Sequence, residues 1–593
     1  MTDTPQASIA DHGLIGDLRT AALVDTAGTV DWLCLPRFDG ESVFGALLDP
    51  GAGAWTIAPA CELVGTNQFY FPETNILVTR FLTDDGVVEV QDFMPVVDGE
   101  EDRCLVRRVE CVRGAMTLRT EMAPRFAYGA RAAAPRSDGD ALVFTGPDAA
   151  VALSATVAVK AADDAATAEF WLDSGETATF VLAFSEAPLP ADAERFADTV
   201  AFWRGWLDRS RYRGRWREMV QRSALTLKLL TYRPTGAIVA AVTTSLPEHL
   251  GGERNWDYRF VWPRDAAFSA YALLALGFTE EARAFVGWIT DRMCDGADGD
   301  SEPLRVLYDL DGNADITERE LGHLAGYRDS KPVRVGNDAT SQLQLDIYGE
   351  VVDSIYLYNK HGEPISASVW EDLGRIVDWV CANWDQEDEG IWETRLGRRE
   401  HTFSRLMCWV AIERAVRMAR QRGLPADLGR WTQTRDEIYR QIMDRGFDTE
   451  RGAFVQHYGG DALDASLLLM PMVKFIAPTD PRFLSTLKAI EEELVSDSLV
   501  FRYDPGLSPD GLDGEEGTFS ICSFWYVEAL TRAGRLEDAR LALEKMFTYG
   551  NHIGLYAEQI GLTGAQLGNF PQAFTHLALI SAAINLDRAL DAR

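Results

Sequence analysis

The sequence predicts a multidomain α+β protein, an N-terminal antiparallel β-sandwich followed by an (α/α)6 toroid, and three observations predict it. Up to about residue 187, short β-rich runs recur with turn signals roughly every ten residues. From Trp216 onward the apolar residues fall almost throughout at helical spacing. The connections between those helical stretches alternate in length, which is the pattern of antiparallel helix pairs closed into a ring. A chain of 593 residues is also too long for one ordinary core.

The first strand pair is Ala21 to Asp25 and Thr29 to Cys34, a hairpin with Gly28 in its turn. Further strands are expected over 76–81, 87–93, 104–112, 116–122, 150–159 and 177–184. Residues 1–187 therefore read as the sandwich. In 188–215, Phe196, Val200, Phe202, Trp203 and Trp206 fit a packed helical linker. Residues 216–593 read as the toroid. Its twelve expected helices are 216–231, 265–276, 279–293, 341–359, 367–384, 402–421, 428–446, 462–476, 480–496, 518–533, 536–549 and 570–590. Gly277 stops the second, Thr402 and Thr518 cap the sixth and tenth, and Asn569 with Pro571 opens the last. Connections after even-numbered helices are short. Those after odd-numbered helices are mostly long: 232–264, 294–340, 385–401, 497–517 and 550–569. The long ones collect at one end, where functional loops belong.

A net charge of −34 repels phosphate backbones and anionic lipids, so nucleic acid and membrane partners are not expected. A small neutral sugar suffers no such repulsion, and a homo-oligomer is compatible with the sequence. The N-terminus lacks a basic segment followed by an apolar run, and no stretch is apolar enough to span a bilayer. The eight cysteines form no CxxC pair; Cys34, Cys381, Cys408 and Cys522 are expected as buried free thiols. A cytoplasmic protein is expected. Nucleotide-binding loops, an HExxH helix, a GxSxG elbow and clustered histidines are all missing, so neither metal nor cofactor is expected.

The long connections carry polar and aromatic clusters instead. Glu393 follows Trp392, and Glu558 follows Tyr556-Ala557. Taken singly, each has a plain explanation, Glu393 as a surface partner of Arg395 and Glu558 as a solvated loop acid. On facing loops they become the two carboxyl groups of a glycosidase, one protonating the leaving oxygen and one activating water, about 6.5–9.5 Å apart if the reaction inverts. Trp392 gives Glu393 an apolar neighbour. Arg264 and Asp265 suit sugar hydroxyls, with an N-cap as the alternative for Asp265. Trp256, Trp262, Trp392 and Tyr556 are either core or stacking platforms for pyranose rings. Glu515 and Glu516 read as helix-start charges, with substrate contact as the alternative for Glu516.

Several strings resemble glycoside hydrolase family 15, the glucoamylase and trehalase family, and most of all its actinobacterial trehalase branch. They are Gly28 to Cys34, Gly252 to Arg259, Gly390 to Glu393, Gly514 to Phe519 and Leu567 to His576. The resemblance implies an exo-acting α-glucoside hydrolase that releases β-glucose with inversion. It implies Glu393 as general acid, Glu558 as general base, and Arg264 with Asp265 as the grip on the terminal glucose. Arg502 is implied as a further sugar-binding residue, and Arg395 lies beside the acid. Trehalose is the first choice of substrate. Maltose-type or isomaltose-type glucans, cleavage by phosphate, and sugar binding without cleavage remain alternatives.

Overall fold

The computed structural model describes residues 6–295, 303–509, 511 and 516–592. The N-terminal part is a sandwich of antiparallel strands. Its central strand, Cys104–Ala123, belongs to both layers. The first half pairs with Gly86–Phe93 and Thr177–Ala183, the second with Ala54–Pro59 and Ala165–Asp173. The sequence suggested two strands here, 104–112 and 116–122. They are one because Gly114 (φ 75°) carries the chain across; a Cβ there would lie 2.0 Å from the Asp85 carbonyl oxygen. Alternate residues such as Leu33, Trp55, Val90, Leu118 and Phe180 fill the core between the layers. The hairpin pairs Ala22 with Leu33, as its glycine turn suggests.

Helix α1 (Phe196–Leu207) joins the two parts by packing. Phe196 meets Phe71 and Phe93 edge-on, while Trp206 stacks on Phe278 at 4.0 Å.

The helical part comprises α2 (Arg217–Leu229), α3 (Pro263–Leu276), α4 (Thr279–Asp295), α5 (Asp346–His361), α6 (Ala367–Asn383), α7 (Thr402–Arg422), α8 (Leu428–Gln441), α9 (Pro481–Glu493), α10 (Ser520–Arg532), α11 (Leu536–Phe547) and α12 (Ala573–Asp591). Among the described residues α3, α5, α7, the 3-10 turn Ala465–Leu469, α10 and α12 pack successively, and α12 closes on α3. That is the inner ring of an (α/α)6 toroid. The inner helix α10 is buried on every side from Ser520 to Thr531. The outer helix α9 buries one stripe, Phe483, Thr486, Leu487 and Ile490.

Several local expectations are corrected. The helix expected over 462–476 is only the turn Ala465–Leu469, because Pro471 has no N–H to continue it. Thr518 does not cap α10; it lies in a small sheet with Gln559–Ile560, and its hydroxyl donates to the Ile560 carbonyl. Thr402 is the first residue of α7 after His401, with no side-chain cap. α12 begins at Ala573 after Gln572, beyond Asn569 and Pro571. α3 begins at Pro263, so Asp265 is inside its first turn and is not its N-cap. Cys34, Cys408 and Cys522 are buried free thiols, whereas Cys381 is half-buried.

Candidate active site

A pocket opens where the long connections enter the inner helices, with about 860 Å³ of open space up to its mouth. The connection carrying Glu393 leads into α7, and the one carrying Glu558 leads into α12. In the inner ring these helices are three places apart, so the two acids approach from opposite sides.

Residues 256–262 organise the pocket. The N–H groups of Ser245, Ala241 and Ala240 donate to the carbonyls of Trp256, Tyr258 and Phe260, every second residue. Side chains on such a segment alternate between two faces. On the pocket side, three aromatic donors each hold a carboxyl group. Trp256 Nε1 donates to Glu248 Oε1 at 3.0 Å, Tyr258 Oη to Glu558 Oε1 at 2.7 Å, and Trp262 Nε1 to Glu393 Oε1 at 2.9 Å. The Tyr258 and Trp262 rings meet edge-on at 5.3 Å.

The other face is bolted to the sandwich. Arg259, wholly buried, donates to both oxygens of Asp257 at 2.9 and 2.7 Å, to the Gly40 carbonyl at 2.6 Å and to Tyr128 Oη at 3.0 Å. Trp32 Nε1 donates to the Val242 carbonyl. Breaking a buried pair from one side strands its partner. Arg259→Met should therefore cost about 3–5 kcal/mol in chemical denaturation, and adding Asp257→Asn should restore part of it. A single variant as stable as the parent would contradict this account.

Arg264 Nε donates to Asp265 Oδ1 at 2.9 Å, its Nη1 to the Ile391 carbonyl, and its Nη2 reaches Glu393 Oε1 at 3.4 Å. Asp346, the first residue of α5, lies 4.0 Å away. Burial raises the Asp265 pKa, and the Arg264 charge partly offsets it. Glu393 has a left-handed backbone (φ 57°) and follows Gly390 (φ 73°), a turn that aims its side chain inward.

The aromatic group bonded to Glu393 is Trp262; Trp392 lines the same pocket but takes its partners elsewhere. Its Nε1 donates to Asp464, and its ring packs on Phe519 and Trp525. Arg395 does not pair with Glu393 either. It lies over the Trp256 ring at 4.3 Å and reaches Glu318 at 3.4 Å.

Arg502 stands between two acids. It reaches Glu516 at 2.7 and 2.9 Å and Glu248 at 3.2 Å, while Arg254 donates to Glu516 at 2.6 Å. Glu516 is thus a buried ion-pair residue and no helix-start charge; Glu515 lies outside the described residues. Burial pushes the Glu248 pKa up to about 7, against the pull of Arg502.

Glu558 is wholly buried, and its Oε2 has no partner among the described residues. Burial first, then the charge of Glu248, push its pKa well above the ordinary value; the Tyr258 hydrogen bond and Arg502 oppose this. Gly568 (φ 73°) lies against it, and a Cβ there would be 2.5 Å from Oε2. Tyr556 is no platform for substrate. Its ring is buried between Phe524 and His576, and its hydroxyl donates to the Met546 carbonyl. Of its two sequence readings, core or stacking platform, the structure shows the core.

Glu248, Tyr258 and Gln559 were missed as site residues. The alternation Trp256, Tyr258, Trp262 could have revealed Tyr258. Nothing around Glu248 in the chain marks it, because its partners Trp256, Arg502 and Gln559 come from three connections. Among the described residues no three His, Cys, Asp or Glu side chains are grouped to hold a metal ion, and no helix is long and apolar enough to cross a membrane.

Residues 214–584 match the model of the glycosyl hydrolases family 15, and residues 3–185 that of a trehalase-like N-terminal domain. The chain is 40% identical to a trehalase of Mycolicibacterium smegmatis, over 99% of this chain and 92% of the relative. It is 37% identical to a trehalase of Thermoplasma volcanium, over 98% and 93%. A bacterial glucoamylase solved with acarbose shares the fold, with TM-score 0.71 at 13% identity over 98% of this chain and 94% of that one.

Proposed function

The chain belongs to glycosyl hydrolase family 15, and from that premise we propose that it hydrolyses α,α-trehalose with inversion, Glu393 acting as general acid and Glu558 as general base. One observation carries the reading. A single segment on the pocket wall holds two carboxyl groups, Glu393 in the pocket lining through Trp262 and Glu558, buried behind the lining, through Tyr258. The full-length likeness to trehalases supports the substrate.

In this mechanism Arg264 and Asp265 hold the hydroxyls of the terminal glucose at the first turn of α3. Glu393 gives its proton to the bridging oxygen. Glu558 takes a proton from a water that attacks the anomeric carbon from the other side, its unpartnered Oε2 being the accepting atom. The C–O bond to the leaving glucose breaks as the bond to water forms, and β-glucose is released with one further glucose. Arg502, Trp256 and Arg395 also line the pocket, and in this reading they face the leaving sugar. We also propose the division of labour read from the sequence: residues 1–187 brace the pocket segment, 188–215 link, and 216–593 carry the chemistry.

The test is a panel of trehalose, maltose, isomaltose and starch with anomer detection by NMR. Trehalose should be cleaved fastest, and the β-anomer should appear first. Preference for maltose or starch would reassign the leaving half, and glucose 1-phosphate as the main product in phosphate buffer would refute hydrolysis.

The acid limb of kcat/KM should follow Glu558 together with its neighbour Glu248. Glu558 acts ionised, and its raised pKa places this limb above the ordinary carboxylate range. Tyr258→Phe removes a hydrogen bond to the charged form and should move the limb to higher pH. Glu248→Gln removes a negative charge and should move it lower. Shifts of equal sign would contradict the assignment.

A further inference from the structure

Behind the catalytic pocket, the toroid holds a second cavity on the same axis. The two are separated by an aromatic layer in which Phe574 meets Phe268 at 5.5 Å and Trp525 at 5.9 Å. The second cavity is lined by later turns of the inner helices and opens at their C-terminal end, with about 1140 Å³ of space up to its mouth.

Its deep part has the chemistry of a sugar site. Trp525, Phe268 and Tyr271 supply aromatic surface next to two buried carboxyl groups, Glu350 and Glu528. Glu350, 3% exposed, has an Oε1 with no partner among the described residues; Glu528 accepts from Ser581 and Asn585 on Oε1 and faces Arg532 Nε at 3.6 Å on Oε2. Burial, then the charges of Asp346 and Asp353, push the Glu350 pKa well up. An unpaired buried carboxyl group is costly unless something fills the site.

The mouth is different. Lys360, Lys474 and Arg532 face it, with Arg414 and Arg417 behind them. Arg414 and Arg417 are engaged by Asp353 and Glu413. Lys360 and Lys474 have no carboxylate partner among the described residues, and Arg532 Nε is paired with Glu528 Oε2 only loosely, at 3.6 Å and without a hydrogen bond. Burial, then Lys360, Arg417, Arg414 and Arg532, hold the Lys474 ammonium below its ordinary range. Cations in last helical turns favour the helix dipole, which accounts for Lys360 and Arg532. It does not account for Lys474, which lies outside any helix, nor for Glu350. A gathering of cations around one opening in a protein of net charge −34 is an anion's address.

We propose that this cavity is a second ligand site for a phosphorylated sugar, with the hydroxyls on Glu350 and Glu528, the ring against Trp525, and the phosphate at Lys360, Lys474 and Arg532. Phe574 lines the catalytic pocket and touches Trp525 and Phe268 of this cavity, so its occupancy bears on the pocket floor at Phe574.

Calorimetry on the full chain tests this with glucose 6-phosphate, glucose and inorganic phosphate as probes. Glucose 6-phosphate should bind saturably and at least about tenfold more tightly than either fragment, a difference of about 1.4 kcal/mol. Lys360→Ala with Lys474→Ala should weaken it about tenfold or more, and Glu350→Gln should weaken glucose 6-phosphate but not phosphate. Trehalose turnover without added ligand should be unchanged in the lysine double variant. Equal binding of inorganic phosphate would refute the sugar half of the proposal. Binding untouched by the lysine changes, or abolished by Asp265→Ala, would place the ligand in the catalytic pocket and overturn it. No saturable binding would overturn it too.

Discussion

Glu393→Gln should lower kcat on trehalose by about 10²–10⁴-fold, the usual worth of a positioned acid. The amide oxygen still accepts from Trp262 Nε1, so the pocket keeps its shape and KM should change little. The sharper result concerns the leaving group. Fluoride leaves without a proton, so the variant should hydrolyse α-glucosyl fluoride far better, relative to the parent, than it hydrolyses trehalose. Equal damage on both substrates would mean that Glu393 is not the acid.

Glu558→Gln should be as damaging on trehalose, about 10²–10⁴-fold in kcat, but with the opposite signature. Water must be activated whatever leaves, so α-glucosyl fluoride should be hydrolysed as poorly as trehalose. Stability should move the other way. Glu558 is buried with one oxygen unpartnered and Glu248 beside it, a strained arrangement that a neutral amide relieves. The melting temperature should be equal or higher. A variant both less stable and active on the fluoride would overturn the assignment of Glu558 as base.

Most of the fold was legible because its periodicities are long and local. Helices such as 402–421 and 536–549 declare themselves by spacing alone, and the alternation of short and long connections carries the ring. The 462–476 stretch failed because one proline outweighs an apolar run. Thr518 and Asn569 look like caps in one dimension, but chain segments far away in sequence claim them; Thr243 donates to Asn569, and Thr518 pairs across a sheet. The candidate site was half legible. Glu393, Glu558, Arg264 and Asp265 stand in distinctive strings. Trp392 lines the pocket beside Glu393 but Tyr556 is core, because a neighbour in sequence on an irregular loop need not share a face with it.

By itself, the sequence determined the sandwich, the ring of helix pairs, the end of the ring where the long connections gather, and Glu393 and Glu558 as the candidate acids. These rest on patterning along the chain, which needs no partner from elsewhere. Only the tertiary structure decided who holds the acids. Trp262 and Tyr258 do so from a segment zipped onto residues 240–245 and bolted through Arg259 to Gly40 and Tyr128 of the sandwich. Glu248 enters the site through partners up to 311 residues away. Hydrogen bonds and burial depend on which side chains meet in space, and that is settled only when the layers close.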